Sequence, residues 1–256
     1  MVFYLVFCMG AVPTLGQREA ERAAVGGKLA AARAALATGD YQRTMKLARE
    51  ATQQAGDAAS VWQEAGELMY RSGHPAESLP LFERAVELRP ESLPYNWQRG
   101  IALATCAQWE AAAEQFARHR EVNPDDVENS AWHYLCVAKR QGADVAQTQL
   151  IPSRGDPRPP MMEVLRMLRG ELQPAQLIAQ VENNDALAAE AKERALFYAQ
   201  LYAGLYCDAR GDIPQALQYL EAAQQTSVRG YMPDAARVYL QALRSRAVDP
   251  HNRNDR

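Results

Sequence analysis

The sequence predicts an all-α solenoid in which antiparallel helix pairs stack one on the next. Glycine, phenylalanine and proline recur at a spacing of 34 residues, which random placement of these residues seldom produces. The matching pairs are Gly66 and Gly100, Phe82 and Phe116, and Pro90 and Pro124. Apolar residues between them follow a helical period. A length of 256 residues suits such an array, because each unit packs only on its neighbours.

The unit 59–92 shows what each recurring position does. Gly66 lies in the apolar stripe of the first helix, where a small residue lets the two helix axes approach closely. Phe82 lies in the stripe of the second helix, Gly73 permits the turn between the helices, and Pro90 stops the second helix. This order of residues resembles the tetratricopeptide repeat. The resemblance implies a tetratricopeptide-repeat, right-handed superhelical solenoid of antiparallel helix pairs.

Further repeats and one interruption divide the chain. Residues matching the repeat return before and after this unit and again near the carboxyl terminus, whereas IPSRGDPRPP places four prolines in ten residues, which no helix tolerates. The predicted segments are a candidate signal segment 1–16, a solenoid over 17–243 with repeats 25–58, 59–92, 93–126 and 197–230, divergent helices 127–196, a capping helix 231–243, and a disordered tail 244–256.

The amino terminus begins with the apolar run of MVFYLVFCMGAVPTLGQ. About twelve apolar residues are too few to span a bilayer as a stable helix, but small residues and then QREAER follow, which resembles a secretory signal. No Lys or Arg precedes the run. Residues 5–8 faintly resemble a lipoprotein box, and membrane attachment is expected only if Cys8 is lipidated, because Phe7 stands where a small residue is needed. We expect an exported, periplasmic or envelope-associated protein; the alternative is a cytoplasmic one that keeps this run.

The composition excludes a nucleic-acid-binding surface. The net charge is −3, and Lys and Arg are dispersed among Asp and Glu rather than gathered beside aromatic residues. With 48% hydrophobic and 23% charged residues, the chain has the composition of a folded protein rather than a disordered one.

Few residues are candidates for catalysis or metal binding. The four cysteines form no CxxC pair, the four histidines are scattered, and the sequence has no HExxH, GxSxG or glycine-rich phosphate loop. Cys106, Cys136 and Cys207 lie in apolar helical stretches, and we expect buried free thiols rather than disulfides or reactive thiols. We predict no cofactor, no metal and no enzymatic activity; an enzyme with an unrecognised site is the less favoured alternative.

The concave surface of stacked helix pairs is their usual binding surface. In tetratricopeptide repeats a fixed set of first-helix positions faces inward, and the resemblance assigns these positions to partner binding. They are Gln63, Glu67, Tyr70, Arg71, Trp97, Ile101 and Thr105. An aromatic residue beside arginine is typical of binding hot spots, although Trp97 could equally be part of the core. The set differs from the Lys, Asn and Arg that clamp acidic chaperone tails, and it favours a helix or extended peptide with apolar anchors.

The order of blocks along residues 59–243 resembles a narrower family. The blocks are YNWQRGIALATCAQWEAAAEQFARHREVNPDD, SAWHYLCVAK, a proline-broken spacer, the helix pair around MLRGEL, and FYAQLYAGLYCDARGDIPQALQYLEAA. They are similar to bacterial NlpI-type tetratricopeptide lipoproteins. The resemblance implies an outer-membrane-anchored periplasmic adaptor that brings peptidoglycan hydrolases and a processing protease together. The poor lipobox at Cys8 departs from that family and puts the anchor in doubt.

These observations predict a non-catalytic protein–protein interaction scaffold of the bacterial envelope, with a protein or peptide partner in the groove. A cytoplasmic assembly or regulatory module of the same repeat class is the alternative. A homo-oligomer is also open, because an uncapped, Ala-rich first repeat would expose apolar surface unless residues 17–27 cover it.

Overall fold

The computed structural model describes residues 14–248, which form a succession of antiparallel helices without a strand. The helices are α1 (Leu15–Ala37), α2 (Tyr41–Thr52), α3 (Ala59–Arg71), α4 (Pro75–Leu88), a 3-10 helix (Pro90–Tyr95), α5 (Trp97–Thr105), α6 (Trp109–Val122), α7 (Val127–Gln141), α8 (Ala143–Thr148), α9 (Met161–Leu168), α10 (Pro174–Glu182), α11 (Ala189–Ala209), α12 (Ile213–Gln224) and α13 (Tyr231–Val248). The predicted all-α solenoid of helix pairs is confirmed.

Three glycines bring the helices of their pairs into close contact. A Cβ added to the backbone would lie 2.9 Å from Phe82 at Gly66, 2.8 Å from Phe116 at Gly100, and 2.7 Å from Leu220 at Gly204. Real side chains do not approach so closely, so the pairs α3–α4, α5–α6 and α11–α12 pack at separations that only glycine permits. The packing role predicted for the repeat glycines is confirmed.

In the turns inside the helix pairs, the residue in the left-handed conformation is a glycine, with one exception. The turn after α3 places Gly73 at φ +94°, a left-handed conformation that suits a residue without a Cβ. After α5 the corresponding residue is Ala107, at φ +59°. Its Cβ crowds the following carbonyl oxygen, so this turn is strained.

The first helix starts before the first predicted repeat. The Thr14 backbone N–H donates to Gln17 Oε1 at 2.7 Å, and the Gln17 N–H donates to Thr14 Oγ1 at 3.3 Å, so the two residues form a reciprocal capping box. The helix therefore begins at Leu15 rather than near residue 25. The candidate signal segment 1–16 falls almost entirely outside the described residues.

Two later helices extend beyond the predicted segments. α11 starts at Ala189, inside the segment predicted as divergent, and continues as one helix into the fourth repeat. α13 continues to Val248, past the predicted end at 243, because Arg246 is still tied to α5 by a 2.9 Å hydrogen bond from its Nη1 to the Thr105 carbonyl oxygen. Residues 249–256 of the predicted tail lie outside the described range.

The buried apolar residues form two clusters of different composition. The amino-terminal cluster joins α1, α2 and α3 through Val25, Leu29, Ala32, Leu36, Ala48, Ala51, Ala65, Leu68 and Met69. The aromatic cluster extends from α3 to α13, and its largest fully buried side chains are Trp132, Tyr70, Tyr134, Tyr202, Tyr239, Phe82, Phe116 and Phe197. A buried carboxylate, Asp208, links three of its helices, since it accepts from Lys139 on α7 and from Tyr239 on α13.

The last helix returns to the first repeats. α13 packs on α12 and also against α3 and α5, the first helices of the repeats 59–92 and 93–126. Near its start Asp234 accepts a 2.8 Å hydrogen bond from Arg71 Nε, across 163 residues of sequence. None of the helices within residues 14–248 has the length and apolarity needed to cross a bilayer.

Candidate partner-binding site

The seven predicted partner-binding residues lie together on α3 and α5, and this surface is called the inner face below. The structure places them in two environments. Gln63, Glu67, Arg71 and Trp97 are partly exposed. Tyr70, Ile101 and Thr105 are buried, with exposed fractions of 0%, 1% and 2%. A partner on the inner face therefore cannot touch Tyr70 or Thr105 while α13 keeps its position.

α13 covers the buried part of the inner face with aromatic contacts. The Tyr231 ring stacks on Tyr70, with centroids 5.9 Å apart and an interplanar angle of 7°. The same ring meets Trp97 edge to face at 4.8 Å. Beneath them, the Tyr70 hydroxyl hydrogen-bonds Thr105 Oγ1 at 3.1 Å. Such offset and T-shaped pairs add to the free energy gained from burial alone.

Charged groups fix the same helix at its edges. The Arg71 side chain forms an ion pair with Asp234. The backbone carbonyl oxygen of Arg71 accepts a hydrogen bond from the Arg237 guanidinium. The Arg237 guanidinium also lies 4.3 Å from the centre of the Tyr41 ring, a cation–π contact with α2. α13 thus joins three consecutive repeats. It does so through Tyr231, Asp234 and Arg237, which the repeat pattern did not single out.

The part of the inner face that α13 leaves open is a polar concavity of about 560 Å³. On its floor, Gln63 Nε2 donates to Glu67 Oε1 at 3.0 Å, and Gln98 Nε2 donates to the same oxygen at 3.1 Å. Asn96 Nδ2 donates to Gln63 Oε1 at 2.7 Å. Burial raises the pKa of Glu67, although the hydrogen bond from Gln63 and the charge of Arg71 oppose this change. Arg33 and Tyr95, whose exposed fraction is 63%, also line the concavity.

A second cavity, of about 250 Å³, lies where α5, α6, α7 and α13 meet, and it is called the aromatic cavity below. Its lining combines apolar and polar side chains. They are Trp97, Ile101, Phe116, Trp132 and Met232, with His119, Asn123, Asp126, Glu128, Asn129 and Arg158. Of these residues, Trp97 and Ile101 were predicted to bind a partner, whereas Phe116 was recognised only as a recurring residue of the repeat. Arg158 comes from the proline-rich loop, whose position against α7 has no repeat signal.

The polar wall of the aromatic cavity is a network centred on Arg158. Its guanidinium contacts Asp126 at 2.8 Å, Asp156 at 2.6 Å, and Glu128. Burial raises the pKa of Glu128 despite these contacts, whereas for Asp126 burial is outweighed by hydrogen bonds to His119 and Arg158, and its pKa is lowered. Asp126 is also the N-cap of α7.

The three described cysteines and His133 are poorly suited to nucleophilic or acid–base chemistry near neutral pH. Cys106, Cys136 and Cys207 are free, as predicted, and burial raises the pKa of all three, that of Cys207 to about 11. They are therefore protonated thiols near neutral pH. Burial lowers the pKa of His133 to about 4. Across residues 14–248, no group of three His, Cys, Asp or Glu side chains is placed to hold a metal ion.

Comparison with known proteins agrees with the repeat fold. No family model matches the chain. Over 68 residues, 27% of the chain, the sequence is 38% identical to a TPR repeat-containing thioredoxin, TTL4, of Arabidopsis thaliana. The chain spans only 10% of the length of that relative. The helix pairs and this partial similarity together support an all-α, tetratricopeptide-like helical solenoid.

Proposed function

We propose that the protein is a non-catalytic scaffold that binds a protein or peptide partner on the open part of its inner face. One observation carries the proposal: α13 covers only the Tyr70–Thr105 end of this face and leaves the concavity beside Gln63 and Glu67 free. Amide and carboxylate groups on its floor can pair with the backbone of a bound segment, and the exposed Tyr95 ring can act as an apolar anchor.

The covered end of the inner face indicates what kind of segment such a surface accepts. α13 binds it through stacked aromatic rings, an arginine–aspartate pair and backbone-directed arginines. This is helix-in-groove recognition, one of the two modes, helix or extended peptide, that the sequence favoured. A partner segment with an aromatic and a charged anchor therefore matches the chemistry of the face.

A charge reversal inside the concavity tests the site. Glu67→Arg places a cation on the floor and breaks the hydrogen bonds from Gln63 and Gln98. We expect crosslinked affinity capture from the source cells to lose its partner with this variant. The matched control is Glu114→Arg, the same change at an exposed position of α6 outside the concavity. Equal capture by both variants would place partner binding elsewhere on the molecule.

We further propose that the partner is encountered in the bacterial envelope, with the protein exported. The support is the resemblance of the block order to NlpI-type lipoproteins and the apolar run before residue 17. Peptidoglycan hydrolases and a processing protease are then the partners to look for. Cell fractionation with sequencing of the mature amino terminus tests this. An intact protein that begins at Met1 in the cytoplasmic fraction would favour a cytoplasmic assembly module instead.

A further inference from the structure

The aromatic cavity has buried polar atoms that its own walls do not satisfy. Asn129 is 3% exposed, and its Nδ2 donates to the Phe116 carbonyl oxygen at 3.0 Å. Its Oδ1 is buried and has no hydrogen-bond partner. Trp132, which is 1% exposed, also has an indole Nε1–H without an acceptor. Buried polar groups are rarely left unpaired, because each costs free energy in the folded state.

The charge around the cavity is negative. Three carboxylates, those of Asp126, Glu128 and Asp156, contact the single guanidinium of Arg158. This leaves an excess of two negative charges, or of one when His119, 3.8 Å from Asp126, is protonated. A further cation is therefore attracted to this place, and the unpaired Asn129 oxygen can accept a hydrogen bond from it.

The apolar walls favour the same kind of ligand. The indole rings of Trp97 and Trp132 line the cavity together with the Phe116 ring, and aromatic faces attract ammonium and guanidinium groups. A volume of about 250 Å³ is below that of most small-molecule sites and has room for one long side chain. The mouth is accessible, since Asn123 is exposed and the Arg158 side chain is 49% exposed.

We propose that the aromatic cavity binds a basic side chain, lysine or arginine, of a partner peptide. The alkyl part would lie against the aromatic walls, and the cation would meet Glu128, Asp126 and the Asn129 oxygen. A peptide side chain fits better than a free amine because Trp97, one of the predicted partner-binding residues of the inner face, also lines the cavity. The inference rests on the proposed function in one respect, that the partner is a protein or peptide.

Small probes test the cavity without knowledge of the partner. The four tryptophans, at positions 62, 97, 109 and 132, give indole N–H signals in a ¹H–¹⁵N correlation spectrum. We expect n-butylammonium to shift the Trp97 and Trp132 signals saturably. The signal of Trp62, whose indole donates to the Gly56 carbonyl oxygen at 2.9 Å, should stay in place. The neutral probe n-butanol and the anion butyrate should have little effect, because neither replaces the cation.

A matched pair of variants separates the local carboxylate from overall charge. Glu128→Gln keeps the shape and an acceptor for the Tyr202 hydroxyl but removes one negative charge from the wall. We expect it to weaken n-butylammonium binding about tenfold, as loss of one charge-assisted hydrogen bond would. Glu121→Gln removes the same charge from an exposed position of α6 and should leave binding unchanged. Unchanged Trp62 and Trp109 signals show that each variant is folded.

The source of the cation is tested with two capped alanine pentapeptides, one with a central lysine and one with norleucine. The lysine peptide should bind more tightly and compete with n-butylammonium. Four results would overturn the proposal. They are equal shifts with n-butanol, which mean an apolar cavity; no shift with any cation; loss of binding in Glu121→Gln as well; and binding of n-butylammonium but not of the lysine peptide, which would assign the cavity to a free amine. None of these results depends on capture of the natural partner.

Discussion

The amino-terminal cluster and the aromatic cluster are held together by different amounts of apolar surface. Four of the nine residues of the amino-terminal cluster are alanine, which buries a single methyl group. The aromatic cluster buries tryptophan, tyrosine and phenylalanine rings, each of which removes far more surface from water. Equal helix geometry therefore does not mean equal stability along the array. We expect α1 and α2 to open locally at a lower free energy than α7 and α11.

Truncation of one buried side chain in each cluster gives the largest contrast. Phe197 is fully buried in α11. Its substitution by alanine should lower the global unfolding free energy by about 3–5 kcal/mol, because a ring-sized cavity is left. Leu29→Ala should instead speed amide hydrogen exchange in α1 and α2 with a smaller effect on global unfolding. Urea denaturation and hydrogen exchange measure both. An equal global effect would mean that the two clusters unfold as one unit.

The same substitution at two helical glycines should have opposite signs. Gly204→Ala should destabilise by roughly 1–3 kcal/mol, because the new methyl group meets Leu220 and, at 3.2 Å, the Ala216 carbonyl oxygen. Gly26→Ala in α1 meets nothing within 4 Å and should stabilise by roughly 0.5–1 kcal/mol. Thermal unfolding of both variants compares them. Destabilisation by Gly26→Ala would indicate close packing against α1 that the structure does not show.

Acid should lower the folding stability of the protein, because His133 on α7 is buried in its neutral form. Its pKa is lowered by burial to about 4 and lies below the unfolded value, so the unfolded state binds a proton first as the pH falls. The stability conferred by the neutral ring is present above the unfolded pKa and is lost between about pH 6.5 and pH 4. We expect a loss of about 2 kcal/mol from pH 7 to pH 5.

The variant His133→Gln isolates this effect, because it has no proton to gain in this range. The difference between wild type and variant in urea denaturation at the two pH values measures it. His119 acts in the opposite direction: burial tends to lower its pKa, but Asp126 and the Pro94 carbonyl raise it, so its contribution is present at low pH and is lost as the pH rises. An identical pH dependence in wild type and variant would contradict the assignment to His133.

The smallest expected change is at the turn between α5 and α6. Ala107→Gly relieves the left-handed strain but raises the conformational entropy of the unfolded chain, so the net gain in unfolding free energy is about 0.5–1 kcal/mol. Gly73→Ala, at the same place in the preceding repeat, is the matched reverse change and should destabilise. Thermal midpoints of the two variants give the comparison. A loss of stability in Ala107→Gly would show that the alanine methyl group makes packing contacts worth more than the strain.

Local sequence signals were sufficient to predict the helix pairs but not the arrangement of the candidate partner-binding site. Gly66, Phe82 and Pro90 act within one repeat, so their spacing predicted the fold. The sequence also placed Tyr70 on the inner face, but it could not indicate that Tyr231 covers it, because that contact joins residues far apart in the chain. Whether the inner-face residues bind a partner stays a prediction.

The aromatic cavity was missed for the same reason. The proline-rich loop was interpreted as a break in the repeats, which is correct locally. Only the tertiary packing brings Arg158 next to Asp126 and Glu128. A usable signal was present: an arginine and an aspartate inside a rigid proline-rich loop, following a helix that starts with two carboxylates.

The position of α13 against α3 and α5 has a consequence for how the protein acquires its fold. Most solenoids can form one repeat after another, because contacts stay between neighbours. Here the face around Tyr70 is completed only by residues 231–248, and the Arg71–Asp234 pair closes a loop of 163 residues. During synthesis the first repeats keep apolar surface uncovered until residues 231–248 have left the ribosome. Folding of this array is therefore expected to be slower than its local helix pairs suggest.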